Sequence, residues 1–392
     1  VGWLLAESNL EDDLCLFAWL EGDSPALREA ADAYFTRVAE RRGVEWVYSI
    51  LKIDSLSLEA KTYFVSALPA GKEYWEIVGQ LDQVLVRAYW ENVRVISIQE
   101  ADRVEGVEHL LEQGCASQAI RLLAWMAYDE QELDVSKVVE ALSRLASSSD
   151  QIDHPSLSND VAELLNWLEQ EDFENSALPM LEFKYFDYVF HHEPANALYR
   201  SLGRDPDGFA SLVQSLYSTD DLGLPEESRS LYKKRCWSVL YNWKHLPGLR
   251  EDGSIDGSYL AEWIDRVRTL LSVDGSKRDY DGQIGEILAS SPDGKDGMWP
   301  AEEVRDLIES LGNPKMEAGL HRGRVNRTSV TFRGVFEGGT QEAVVAERYR
   351  ENAREMNARW PRTAEILRAL AKDSEQEAAR QNFEAEQRGD QD

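Results

Sequence analysis

The residues of this chain that could do chemistry are its acidic glycine loops, its few histidines and cysteines, and one run of arginines. Asp279-Tyr280-Asp281-Gly282-Gln283-Ile284 matches the middle of a calcium-binding loop: two acids precede a turn glycine and an apolar residue follows. The ends do not match. The first loop position would be Lys277 and the last Leu288, where carboxylates are required. Asp205-Pro206-Asp207-Gly208 and Asp293-Gly294-Lys295-Asp296-Gly297 depart from the pattern in the same way. As turns these segments need no ion, because Asp and Gly supply turn geometry themselves. No metal ligand and no cofactor is therefore assigned.

The 6 histidines show no HExxH or HxH spacing. His191-His192-Glu193 is the one cluster, and adjacent helical residues point roughly 100° apart. A pair at a helix end before Pro194 is the expected reading. Cys115 follows Gly114 near a helix start, where a thiol can be acidified. A small packed cysteine is the simpler reading. There is no GxSxG, Walker A or GxGxxG sequence. Carboxylate pairs occur throughout, so none stands out as general acid and base, and no catalytic residue is assigned.

One segment reverses the charge of the chain. Residues 321–372 hold ten Arg and one Lys against six Glu, a net of +5. Within it, 321–333 has four Arg (Arg322, Arg324, Arg327 and Arg333) and no acid. As an arginine-rich loop with Gly, Asn and Thr it could grip phosphate or a partner's carboxylates. The competing expectation is pairing with acids of the same chain. For the following helix, Glu347 and Arg350, Glu351 and Arg354, and Glu355 and Arg359 stand at pairing distance along one face.

Ser291-Pro292-Asp293, Asp296-Gly297-Met298-Trp299-Pro300, Val304-Arg305-Asp306-Leu307-Ile308-Glu309, Arg333-Gly334 and Glu337-Gly338-Gly339-Thr340-Gln341-Glu342 carry a resemblance. This region resembles the C-terminal part of large uncharacterised bacterial proteins, some linked to conflict or defence systems. The resemblance implies a bacterial setting and carries no catalytic motif.

Composition bounds these readings. The chain has 392 residues, 42 basic and 72 acidic side chains and a net charge of −30. Phosphate and anionic membranes would be repelled over most of such a surface. With 43% hydrophobic residues a packed core is expected, and 12 Trp suit inter-helix packing. The 3 Cys are Cys15, Cys115 and Cys236, far apart and without a CxxC, which fits a reducing cytosol. No membrane-spanning run is present. The chain begins with Val and is expected to be cut from a longer protein.

The elements that would position these residues are helices. Ser24-Pro25 starts one that Gly43 closes. Others are expected over 44–53, 58–68 and 74–89, with 93–98 a β-like connector. Between 101 and 145, Val107, Leu110 and Leu111, then Ala119, Leu122 and Leu123, then Val135, Val138, Val139, Leu142 and Leu145 form three stripes. Ser258 is expected to cap the helix carrying Leu260, Trp263 and Ile264. A hairpin is expected from Val330-Thr331-Phe332 and Val335-Phe336, a helix break at Trp360-Pro361, and a loose acidic tail from Asp373.

The expected fold is all-α, with helical hairpins stacked as an α-solenoid or multi-helix bundles and a small β-hairpin or irregular insertion near 321–340. Expected domains are 1–146, 147–246 and 247–372, with the tail at 373–392. The leading functional expectation is a non-catalytic cytoplasmic scaffold that binds a protein partner or another domain of the full protein. The alternatives are nucleic-acid binding through 321–333 and a divalent-metal hydrolase around Asp279 and Asp281.

Overall fold

The computed structural model describes residues 2, 6, 16–20, 24–147, 155–190, 195–217, 225–272, 280–327 and 339–389. The protein is all-α, 78% helical, with 19 helices packed on one another and no strand among the described residues. It forms two compact units, Val1–Glu193 and Pro194–Asp392.

The first unit carries α1 (Phe17–Leu20), α2 (Pro25–Leu51), α3 (Leu58–Ser66), α4 (Lys72–Val78), α5 (Gln83–Asn92), α6 (Arg103–Glu112), α7 (Ala116–Tyr128), α8 (Val135–Ser147), α9 (Pro155–Glu171) and α10 (Leu178–Val189). Its main packing contacts join helices one or two apart in the chain: α1 and α2 with α3, α3 with α5, α6 with α7, α7 with α8 and α9, α8 with α10. Val107, Leu110, Leu111, Ala119, Leu122, Leu123, Val138, Leu142 and Leu145 are all buried. Gly114 ends α6 at φ +75°, and the Cys115 and Gly114 amides donate back to the Leu110 and Leu111 carbonyls at 2.8 and 3.0 Å. That reciprocal pairing is the usual glycine-terminated helix end.

The second unit carries α11 (Asn196–Arg204), α12 (Pro206–Tyr217), α13 (Glu226–Asn242), α14 (Gly257–Ser272), α15 (Asp281–Leu288), α16 (Glu302–Leu311), α17 (Pro314–Arg327), α18 (Thr340–Met356) and α19 (Pro361–Gly389). Trp243 is fully buried, edge-on to Phe209 and Trp263 at 5.2 and 6.1 Å. Helices α15 and α17 meet backbone to backbone. A Cβ at Gly285 would overlap the Met316 carbonyl, and one at Gly319 the Gly282 carbonyl. Arg305, fully buried, donates to Asp296 at 2.5 and 2.9 Å and to the Pro300 carbonyl at 2.5 Å. It thereby fastens the 291–301 loop onto α16.

Several expectations are corrected by these elements. The expected 74–89 helix is two, because the chain turns at 79–82 between α4 and α5. Residues 95–97 form a single 3-10 turn. Ser24 precedes α2 without bonding it through its side chain, whereas Ser57 accepts from the Ala60 amide at 2.9 Å. Asp256, not Ser258, caps α14, accepting from the Tyr259 amide at 3.0 Å. Helix α17 runs to Arg327, through the start of the expected break. The expected loose tail is helical to Gly389: Ala378 is buried, Asp373 meets His321 at 2.8 Å, and Asn382 accepts from the Gly339 amide at 2.8 Å. The chain divides at 193/194, and the boundaries expected at 147 and 247 fall inside units. Tyr185 of α10 reaches back to the Leu142 carbonyl at 2.7 Å, and Trp243 packs on Trp263 of α14. The expected hairpin and His191-His192-Glu193 lie outside the described residues.

Gly285→Ala and Gly319→Ala should each lower stability by about 1–3 kcal/mol, because the added methyl must push two backbones apart. Urea unfolding followed by far-ultraviolet circular dichroism measures this. A change within a few tenths of a kcal/mol for both would show that the two helices do not touch as described.

Candidate functional site

Two adjoining depressions mark the surface of the first unit. The first, about 670 Å³, lies between α2, α3, the 67–71 turn and the end of α5. Arg28, Asp32, Glu40, Glu73, Glu91 and Arg94 line it. Burial raises the Asp32 carboxyl above its ordinary range, opposed by Arg94 and Arg28. The Arg28 guanidinium lies over the Tyr63 ring, 5.0 Å from its centroid. The hydroxyls here serve the fold. Thr36 donates to the Asp32 and Ala67 carbonyls at 2.8 and 2.7 Å, Ser66 to Thr62 at 2.9 Å, and Tyr74 to Ala39 at 3.1 Å. Each of these three hydroxyls donates to a main-chain carbonyl.

The second depression, about 630 Å³, shares Asn92 and Arg94 with the first. Its wall is the 3-10 turn, and its floor comes from α7 and α9. Val93, Val95 and Ile98 are buried and pin the turn, which leaves Ile96 facing outward at 65% exposure. Trp125 and Tyr128 end α7 with their rings stacked at 5.8 Å, and they are 37% and 77% exposed. Asp160 sits at the rim, its carboxyl raised by burial and lowered by Arg121. Apolar Ile96, Ala124, Trp125 and Tyr128 line it together with charged Arg94, Arg121, Asp160 and Glu163.

The arginines singled out from sequence are placed as follows. Arg322 donates to Glu286 at 2.5 Å. Arg324 donates to the Tyr349 hydroxyl at 3.1 Å and covers the Trp299 ring at 4.5 Å. Arg327 donates to the Glu286 and Trp243 carbonyls at 2.6 and 2.7 Å, and burial lowers its pKa from the usual value. All three bind groups of the second unit, and Arg333 lies outside the described residues.

The acidic loops are likewise engaged. Asp281 pairs with Arg268 at 3.0 Å and accepts from Asn313 at 2.5 Å, while Asp279 lies outside the described residues. Asp205 accepts from the Asp207 amide at 3.0 Å, starting α12. Asp207 is held bidentately by Arg266 at 2.9 and 3.0 Å, which keeps its carboxyl below the usual range. Among the described residues no group of three or more His, Cys, Asp or Glu gathers as a metal site. Cys115 is buried at the start of α7, and burial pushes its thiol up to about 11. The helix-start effect does not prevail there.

A second surface was missed in the sequence reading although its signal was present. Residues 228–250 hold six Lys and Arg and no acid, inside a chain of net charge −30. On α13 this stretch leaves Leu231, Lys234, Trp237 and Tyr241 on one exposed face.

Fold and surface together define an all-α protein with two surface depressions on its first unit and engaged arginines in its second. Compared with known proteins, the chain matches no family model, no curated protein and no solved structure. The resemblance of residues 291–342 thus rests on its own motifs.

Arg305 holds the Asp296 carboxyl below its ordinary value. A depressed carboxylate contributes stability that is fully present above its unfolded value, about 3.9, and lost as pH falls through the folded one. Asp296→Asn should cost about 1–3 kcal/mol near neutrality: Arg305 is buried and loses its counter-charge, but water screens the partly exposed carboxylate. Below about pH 4 the gap to the wild type should narrow, as the wild-type carboxyl itself takes up a proton. Chemical denaturation across that range measures both, and a gap independent of pH would refute the assignment.

Proposed function

We propose that this chain is a non-catalytic helical scaffold of a bacterial cytosolic protein, and that it works by docking a protein partner. The observation that carries this reading is the apolar groove of the first unit, where Ile96, Trp125 and Tyr128 stand exposed around about 630 Å³ of open space. Large apolar and aromatic side chains gathered beside charged rims are the usual anchors of protein interfaces. The main packing contacts of this unit link helices one or two apart, as in solenoids whose layers bury their faces jointly. No helix among the described residues is long and apolar enough to cross a membrane. Cys115 and Cys236 are buried thiols outside any disulfide, which fits a reducing compartment.

The rival readings have less support. Nucleic-acid binding through 321–333 would require Arg322, Arg324 and Arg327 to leave partners they already hold. A hydrolase around Asp281 would have to displace Arg268 and Asn313.

A photo-crosslinking residue in place of Tyr128 should capture a protein partner in cells, and the purified partner should bind the purified chain. Ile96→Glu should then weaken binding by about 2 kcal/mol or more, roughly thirtyfold, with unfolding unchanged. Absence of any specific crosslink, or an affinity indifferent to Ile96→Glu, would overturn the proposal.

A further inference from the structure

The second unit carries an exposed stripe that the scaffold reading does not use. Helix α13 turns Leu231, Lys234, Trp237 and Tyr241 to one side at intervals of three and four residues, and Lys244 follows just past the helix end. Trp237 and Tyr241 are 52% and 53% exposed, and their rings lie parallel, 4.9 Å apart at 15°. Lys234 and Lys244 are exposed, and neither pairs with an acid among the described residues. Of the other four cations of residues 228–250, Arg229 and Lys233 are half-buried, Arg235 is buried and Arg250 pairs with Asp256 at 2.7 Å.

We infer that this stripe binds a short segment of single-stranded nucleic acid. Two paired rings among unneutralised ammonium groups offer a stacking surface for bases and point charges for phosphates. An α-helix rises about 1.5 Å per residue, so the stripe from Leu231 to Tyr241 spans about 15 Å, room for only a few nucleotides. A duplex hides its base faces in its own stack, so the rings could not reach them. The overall charge of −30 does not forbid this. Charges more than about 8 Å away are largely screened at physiological salt. The acids of α13 are Glu226 and Glu227 in its first turn, and Glu227 lies about 10 Å along the helix from Lys234. Ammonium groups grip phosphates without fixed geometry, which suits a strand held irrespective of sequence.

The test uses the full chain and a fluorescein-labelled oligothymidylate of about a dozen nucleotides, read by anisotropy. Binding should be measurable near about 50 mM salt and should weaken steeply with added salt. Trp237→Ala should weaken it about fivefold or more. Lys234→Ala combined with Lys244→Ala should reduce the slope of log affinity against log salt by about 1.4, the share of two phosphates on a single strand. Both changes are on the surface, and circular dichroism checks that the fold persists. No binding near about 50 mM salt, or binding indifferent to these substitutions, would overturn the inference. So would equal binding of a duplex, or a polyglutamate peptide held with the same dependence on Trp237. The last result would assign the stripe to an acidic protein instead.

Discussion

A protein with 19 helices and no sheet among its described residues can remove apolar surface from water only by covering one helix with another. That constraint sets nearly everything else here. It explains why tryptophan is spent in the interior, where Trp243, Trp263 and Phe209 lock three stretches of the second unit together. It explains the glycines of α15 and α17, which let two backbones approach to a distance no side chain permits. It also gives meaning to the exceptions. Among the described residues those exceptions include two stacked aromatic pairs left in water, Trp125 with Tyr128 and Trp237 with Tyr241.

The constraint also determines what could be read from sequence. Local signals were legible. Gly114 stops a helix because only glycine takes that backbone conformation cheaply, and Trp360-Pro361 breaks one because proline forbids the preceding turn. Signals that depend on distant partners were not. Gly319 and Gly323 argue locally against helix, yet α17 continues through them because α15 needs the space. The acidic tail lacks an apolar stripe strong enough to announce itself, and it is held by His321 and by the Gly339 amide. The groove was illegible because Ile96 belongs to a run that alternates like a strand. The fold buries Val93, Val95 and Ile98 instead and turns Ile96 out. The acid-free stretch 228–250 was countable, but only the fold separates exposed Lys234 from buried Arg235.

Several arginines of the second unit are tied in by the shape of their head group. The guanidinium group is planar and presents donors in a fixed fork, so it suits sites where several acceptors converge. Arg305 uses that fork on Asp296 and the Pro300 carbonyl, and Arg327 spans the Glu286 and Trp243 carbonyls. Such arginines are structural rivets, and a run of them in sequence reads as a binding motif only until the fold shows their partners. Lysine is a strongly hydrated point charge on a flexible stem, poorly suited to that task. Lys234 and Lys244 accordingly remain in water.

The same question of partners applies to the reactive groups of the first unit. A nucleophile needs a free hydroxyl or thiol with a base within reach. In the polar cleft, Thr36, Ser66 and Tyr74 give their protons to main-chain carbonyls that the packing already fixes. Cys115, the nearest thiol to a helix start, is driven away from its reactive form by burial. Asp32 is raised by burial, which alone would suit a general base, yet Arg28 and Arg94 work to keep it charged. What these groups offer an incoming molecule is a shaped, charged surface beside an apolar shelf. In the scaffold proposal, that combination fixes a partner's orientation at the rim and its affinity at Ile96, Trp125 and Tyr128.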